Sequence, residues 1–326
     1  MKVAILGGGG SFALNYARHA IACGHEVIGF GRSALRGPAF TLGTDRAGYR
    51  YRVLQIGPDN ELLIDALKEF GPEILVNFAA QGEGAVSFTP AHWRYFFATN
   101  SAALADLSAR LVSLTSMKRF IEIGTSEIYG SVASAVTEDA PIRPTSPYAA
   151  SKVAFDLHLQ AIGRAGILPT SIIRPSNCYM PGQQLHRVIP RATLTAIAGG
   201  RLPLHGGGVA KKSYLHASDL SRAVEVVAQK GENGAAYNCG PLWPITIRSL
   251  VELVAGTCGR EPADMIELAP ERTGQDGCYW LDSSRLRALG WEPRVSLEDG
   301  LGGMALWVRE YLAELSALPI EYRMRA

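Results

Sequence analysis

The chain has 326 residues, 47% of them hydrophobic and 19% charged, and a formal net charge of +2 at pH 7. That length suits about two domains, or one large α/β unit carrying a lobe. The small net charge gives no electrostatic case for nucleic acid or an acidic membrane, and no apolar run reaches the roughly 18 residues of a membrane span.

In chain order, Val3 to Leu6 reads as a buried strand and Phe12 to Ala22 as a helix ending near Gly24. Glu26 to Phe30 is a second strand, and Arg52 to Ile56 a third, followed by a helix from Asn60 to Phe70. Ile74 to Phe78 is a fourth strand, and Trp93 to Leu114 a long helix. Phe120 to Ile123, a helix from Tyr148 to Arg164, and Ser171 to Arg174 complete the regular part. Strand and helix in alternation predict βαβ units and a doubly wound parallel sheet with both faces covered. Ligands on such a sheet bind beyond the carboxyl ends of the strands. After Pro175 the pattern breaks up around Pro181-Gly182, Gly199-Gly200 and Gly206-Gly207-Gly208, which predicts a smaller α/β substrate lobe. The expected division is a first domain of residues 1–174, with 212–246 returning to it, and a lobe of 175–211 and 247–326.

The five cysteines, Cys23, Cys178, Cys239, Cys258 and Cys278, are odd in number and form no CxxC pair. Reduced thiols in a cytoplasmic protein are expected. The opening Met1 to Leu6 is too short for a signal-peptide core and runs into a glycine cluster. The seven histidines lack HxxxH and HExxH spacing, so no metal is expected.

Ser146-Pro147-Tyr148-Ala149-Ala150-Ser151-Lys152 places a tyrosine and a lysine one helical turn apart on a shared face. An ammonium beside a phenol stabilises the phenolate. A phenolate can take the proton of an alcohol while hydride leaves the same carbon, and that chemistry needs a nicotinamide cofactor. Gly7-Gly8-Gly9-Gly10-Ser11-Phe12-Ala13 supplies a site for one. It follows the first strand and opens the first helix, so the backbone can approach a pyrophosphate at a helix N-terminus. Gly7, Gly10, Ser11, Phe12 and Ala13 are the candidate contacts in a Rossmann-type domain. The second strand ends in Phe30-Gly31-Arg32-Ser33, without the acid that an NAD site places there. Arg32 and Ser33 are suited to a 2′-phosphate, which favours NADP with NAD as the alternative. The bland reading of Arg32 is a solvated surface arginine.

These segments, with Asn77-Phe78-Ala79-Ala80-Gln81, Asn100, Thr125-Ser126-Glu127-Ile128-Tyr129-Gly130 and Arg174-Pro175-Ser176-Asn177, occur in the order found in extended short-chain dehydrogenases/reductases. The chain resembles the nucleotide-sugar epimerase/dehydratase group of that family over nearly its whole length. The resemblance implies that Ala79, Ala80 and Gln81 pass beneath the cofactor, with Asn100 and Pro175 in the same site. It implies that Lys152 also holds the nicotinamide ribose and that Thr125 hydrogen-bonds the sugar O4. Oxidation at C4 acidifies the C5 hydrogen, and Glu127 stands where a carboxylate removes it before water leaves C6. The implied activity is a nucleotide-sugar 4,6-dehydratase acting through Thr125, Ser126, Glu127, Tyr148 and Lys152.

The Thr-Ser-Glu triplet is similar to that of GDP-mannose 4,6-dehydratases, whereas Ser176-Asn177-Cys178-Tyr179 and Arg272-Thr273-Gly274-Gln275-Asp276 look more like dTDP-glucose 4,6-dehydratases. The latter place Asp where this chain has Ser126, so Glu127 or a water would protonate the leaving hydroxyl. Nucleotide-sugar decarboxylases carry a similar triplet, and C4 epimerases share the oxidised intermediate, so both stay open. A third reading is a non-catalytic NAD(P)-binding sensor. Lys212 and Arg272 are implied cations for the nucleotide diphosphate, with Asn177 near the phosphate or sugar and Ser87 near the sugar hydroxyls. Plainer roles are surface cations for Lys212 and Arg272, turn hydroxyls for Thr125 and Ser126, and a helix cap for Glu127. The family also implies a homodimer through the two long helices. The apolar face of the first, Phe96, Phe97, Ala103, Leu104, Leu107, Leu111 and Leu114, suits either an interface or internal core.

Overall fold

In a computed structural model describing residues 1–44, 48–82, 87–271 and 276–322, β1 (Lys2–Leu6) leads through a glycine turn into α1 (Ser11–Ala22) and β2 (Glu26–Gly31). A short α2 (Pro38–Thr41), β3 (Arg50–Val53), α3 (Asn60–Phe70) and β4 (Ile74–Asn77) follow. Next, α4 (Pro90–Phe97), a π-helical turn (Ala98–Ala103) and α5 (Leu104–Leu111) run on without a break. Then come β5 (Arg119–Ile123), α6 (Pro147–Arg164) and β6 (Thr170–Pro175). Ser146 starts α6 because its Oγ accepts from the Ala149 N–H at 3.1 Å, and Pro147 fits the first turn, where no N–H is needed.

The second half weaves between two bodies. It contains β7 (Asn177–Tyr179), α7 (Val188–Ala198), β8 (Leu202–His205), β9 (Lys211–Lys212), β10 (Tyr214–His216), α8 (Ala217–Lys230) and β11 (Ala235–Cys239). It ends with β12 (Ile245–Thr246), α9 (Ile247–Cys258), α10 (Pro262–Met265), β13 (Ile266–Ala269), α11 (Ser284–Ala288), α12 (Leu297–Glu310) and α13 (Leu312–Ser316).

Seven strands form one parallel sheet in the order β11-β6-β5-β4-β1-β2-β3. Chain order reverses between β1 and β4, which opens a crevice at their carboxyl ends. The period of two along β1 sends Val3 and Ile5 to one face and Ala4 and Leu6 to the other. The first face packs on α1 and α8 through Leu14, Ala17, Val224 and Val227. The second packs on α3, α5 and α6 through Leu67, Leu107, Phe155 and Leu159. A third core, in the lobe, joins α7, α9 and α12 around Ile189, Leu250 and Met304. Phe40 of α2 belongs to that core, and Trp307 Nε1 donates to the Ala39 carbonyl at 2.7 Å. Conversely, Leu286 and Trp291 from the C-terminal segment pack on the sheet side.

The apolar face predicted for the first long helix is internal. Phe96 is buried, and Leu104, Leu107, Leu111 and Leu114 lie in the core beneath α6. Phe97 instead faces outward, as do Trp93 on α4 and Leu157 on α6. Among the described residues no helix is long and apolar enough to cross a membrane, and no cluster of His, Cys, Asp or Glu could hold a metal ion.

Candidate active site

A cavity of about 1030 Å³ opens at the carboxyl ends of the strands, between the sheet and the lobe. That is the upper end of the range for one drug-sized ligand, and gives room for a cofactor and a second molecule side by side. Gly7, Gly10, Ser11, Phe12 and Ala13 line it on one side, and Ala79, Ala80 and Gln81 on another. Gly7 has φ +70°, and a Cβ there would lie 2.6 Å from the Ala79 nitrogen. Only glycine lets the two loops meet. Gly10, the N-cap of α1, brings no side chain to bond the first-turn amides, and no acid stands in that turn. Those amides and the positive end of the helix suit an anion, so the residues present fit a dinucleotide pyrophosphate.

At the end of β2, Arg32 lines the cavity and its Nη1 donates to Gln81 Oε1 at 3.2 Å. Ser33 lies on the exposed side, where its carbonyl accepts from the Tyr51 hydroxyl at 2.7 Å. A Cβ on Gly31 would lie 2.5 Å from that same hydroxyl oxygen. Tyr51 therefore occupies the space an acidic side chain would need at this strand end.

Thr125, Ser126 and Glu127 follow β5 directly and all line the cavity, as do Tyr148 and Lys152 from the first turns of α6. Thr125 Oγ1 accepts from the Glu127 N–H at 3.2 Å and so caps a short 3₁₀ turn, Ser126–Tyr129. Its own hydroxyl proton stays available for a ligand oxygen. The plainer roles are thus partly real, with Thr125 rather than Glu127 as the cap. The Tyr148 ring packs edge-on against Phe96, with centroids 6.2 Å apart. Lys152 is 2% exposed, donates to Glu122 Oε1 at 2.5 Å and to the Ile123 carbonyl at 3.0 Å. Burial pushes the Glu122 carboxyl above the usual carboxylate range, while Lys152 and Asn77 pull it back.

Lys212, Asp276 and Tyr279 supply the far wall. Lys212 Nζ sits 3.3 Å from the centre of the Tyr279 ring and donates to the Asp276 carbonyl at 2.8 Å. Burial pushes its ammonium down to about 8, although Asp276, Glu127 and Cys278 favour the charged form. Tyr279 donates to Asp276 Oδ2 at 2.5 Å, and Thr145 Oγ1 donates to the same oxygen at 2.6 Å. Burial first, and then the Glu127 charge, hold the Tyr279 phenol well above the usual tyrosine range.

A sequence model described as the NAD dependent epimerase/dehydratase family matches residues 3–240. The chain belongs to that family. It is 31% identical over 329 residues to a dTDP-glucose 4,6-dehydratase of Streptomyces niveus, covering 95% of this chain and 93% of that one. Among solved structures it resembles a double mutant of DesIV, a dTDP-glucose 4,6-dehydratase from Streptomyces venezuelae with NAD bound. The TM-score is 0.88 at 29% identity, over 98% of this chain and all of the other. A UDP-glucose 4-epimerase of Thermus thermophilus in complex with NAD gives a TM-score of 0.86 at 26% identity, over 95% and 99% of the two chains.

Within this epimerase/dehydratase family member, Pro175, Asn177 and Lys212 also line the cavity. Two predicted contacts sit behind the wall instead. Ser87 is fully buried, and its Oγ accepts from the Tyr148 N–H at 3.0 Å. Asn100, also fully buried on the π-helical turn, bonds both ways with the Gln81 backbone: Oδ1 accepts from N at 2.7 Å and Nδ2 donates to O at 2.6 Å. These two residues fix the start of α6 and the Gln81 loop through those bonds. Arg272 lies outside the described residues. Glu122, Tyr51 and Tyr279 were not predicted. Tyr279 follows Asp276 by three residues, so continuing that motif would have found it.

Proposed function

We propose that the protein is a nucleotide-sugar 4,6-dehydratase. The observation that carries this reading is a carboxylate, Glu127, in the same cavity as the Tyr148/Lys152 pair, on the strand end beside Thr125. Bound there, the dinucleotide would supply the oxidant at C4 and the reductant at C6, so the overall reaction is redox neutral. Tyr148 takes the O4 proton, and Lys152 stabilises the resulting phenolate. Thr125 donates to O4 and orients it. The C4 ketone makes the C5 hydrogen acidic, and Glu127 removes it. Protonated Glu127 then holds the proton that the departing C6 hydroxyl needs. Ser126 carries no charge and contributes a hydroxyl contact only. Lys212 and Asn177 hold the diphosphate and sugar, and Arg272 is assigned to the diphosphate with them.

We infer NADP as the cofactor, with NAD the alternative. Support comes from the missing acid at Gly31, the Tyr51 hydroxyl filling its place, and Arg32 facing the cavity. The solved relatives named above hold NAD. Titration with each dinucleotide decides it: Arg32→Ala should weaken NADP more than NAD, and equal losses would remove the assignment. We further propose a homodimer through the outward Trp93, Phe97 and Leu157, a cytoplasmic location on the unpaired cysteines, and two lobes divided as the sequence suggests except that Phe40 joins the lobe core and Leu286 and Trp291 the sheet side.

The second reading is C4 epimerisation or decarboxylation, favoured by Ser126 in place of an acid. A panel of nucleotide sugars with product masses separates these. Loss of water supports dehydration, loss of carbon dioxide the decarboxylase, and an unchanged mass with a new stereoisomer the epimerase. Cofactor binding without turnover of any sugar would favour a sensor. Glu127→Gln should stop dehydration while leaving C4 oxidation, and full activity in that variant would remove Glu127 from the mechanism.

A further inference from the structure

Side chains alternate along β5, with Phe120 in the core beneath α6 and Ile121 in the opposite one. Glu122 therefore points to the α6 side of the sheet. A central parallel strand calls for an apolar residue at such a position. Glu122 is nevertheless 1% exposed, and each of its oxygens has its own donor. Lys152 Nζ reaches Oε1 at 2.5 Å, and Nδ2 of Asn77, its register partner on β4, reaches Oε2 at 2.6 Å.

Asn77 extends the connection. Its Oδ1 accepts from the Ala79 N–H at 3.0 Å, at the loop that meets Gly7. One carboxylate thus ties the helix bearing Tyr148 to the wall of the dinucleotide cradle. With Glu122 and the Ile123 carbonyl taking two N–H groups of Lys152, the third is left for the cavity. Other charges do not duplicate Glu122. Asp156, which faces the same region from α6, is held by Arg174 of β6 through two bonds of 2.7 and 2.9 Å. On the cavity side, Tyr148 is accompanied by Glu127 and Tyr279.

We propose that Glu122 is a positioning residue: it pins the Lys152 ammonium beneath the cavity and offsets its charge, so that the Lys152–Glu122 pair, rather than the lysine alone, sets the field at the Tyr148 phenol. A buried lysine without a counter-charge would act on the phenol more strongly, but would be held in place only by carbonyls. The inference rests on reading Tyr148 as the base for O4. Its test does not depend on turnover.

Tyrosine labelled with ¹³C at Cζ reports the Tyr148 titration in cofactor-free protein, the signal being assigned by its absence in Tyr148→Phe. Glu122→Gln keeps an acceptor of the same reach and removes the charge. The Tyr148 midpoint should fall by about one pH unit, the effect of removing a nearby buried charge. An unchanged or raised midpoint would overturn the proposal. The charge-conserving Glu122→Asp should leave the midpoint near that of wild type. A full one-unit fall there would assign the effect to packing and also overturn it. Wild-type protein gives a test even if Glu122→Gln does not fold. The ¹³Cδ signal of Glu122, assigned with Glu122→Asp, should be that of an ionised carboxylate at neutral pH, and a protonated one would refute charge compensation. Absence of dehydratase activity alongside the expected midpoint shift would refute the proposed function and leave this inference standing.

Discussion

With Lys212 in its proposed place on the diphosphate, substrate binding should depend on pH in a way that can be measured. The residue is 7% exposed, and its ammonium rests on the Tyr279 ring and has the Asp276 carbonyl as a hydrogen-bond acceptor. Burial lowers it to about 8, so it is charged below that pH and neutral above it. A hydrogen bond from a charged donor is worth about 1.5 to 3 kcal/mol, or about tenfold to 150-fold in affinity. For the free protein, each pH unit above the midpoint removes nine-tenths of the cation. The Kd for a nucleotide sugar should therefore be flat below pH 7 and rise about tenfold by pH 9, levelling where only the neutral form binds. Calorimetric titration with UDP-glucose and dTDP-glucose across this range reads the curve. Lys212→Arg keeps its charge throughout, so its curve should be flat. Lys212→Met should bind weakly at every pH. The same rise in Lys212→Arg would show that another group titrates, and would refute the role given to Lys212.

Three further outcomes follow from the packing. Gly7→Ala would set a Cβ 2.6 Å from the Ala79 nitrogen at φ +70°, and should weaken dinucleotide binding at least about tenfold by fluorescence titration; unaltered affinity would mean that the two loops can part. Arg174→Met would leave Asp156 buried without its cation, and should cost about 3 to 5 kcal/mol in urea unfolding. A loss below about 1 kcal/mol would show that the pair is replaceable. With α4 in the proposed dimer interface, Phe97→Asp should give a monomer in sedimentation where the wild type gives a dimer, whereas unchanged sedimentation would remove α4 from the interface.

The alternation of strands and helices was readable because parallel strands buried on both faces leave short, continuous apolar runs. The helix Asn60–Phe70 was predicted with its observed ends. The third strand was not. Val53, Leu54 and Ile56 drew the prediction to Arg52–Ile56, whereas the strand is Arg50–Val53 at the sheet edge. There Tyr49 and Tyr51 turn toward the glycine loop and the arginines toward solvent, a pattern that polarity alone conceals. The lobe strands contain two to four residues each, too few for a period to register. The apolar stripe from Phe96 to Leu114 showed that a face is buried, and carried no information about whether its partner is the same chain. Glu122 was invisible for a different reason. Its partners lie 45 and 30 residues away in sequence, and only the sheet register and α6 bring them together.

The choice between an acid at position 126 and none bears on how many groups the elimination requires. With Ser126 uncharged, Glu127 is the one carboxylate in the Thr-Ser-Glu triplet. A single carboxyl suffices when the proton leaving C5 and the hydroxyl leaving C6 depart on the same side, because the proton received from one carbon is available to the other. Two separated acids would instead permit departure on opposite sides. The side chains around Glu127 fit the single-carboxyl route. The Glu127 charge favours the charged form of Lys212, and Asp276 is already engaged by Tyr279 and Thr145. The stereochemistry of elimination, followed with a substrate carrying deuterium at C5 and a chiral label at C6, should therefore be syn. Part of the C5 deuterium should also appear in the released water when turnover is faster than exchange. An anti elimination would require a second acid and remove Glu127 as the sole proton carrier.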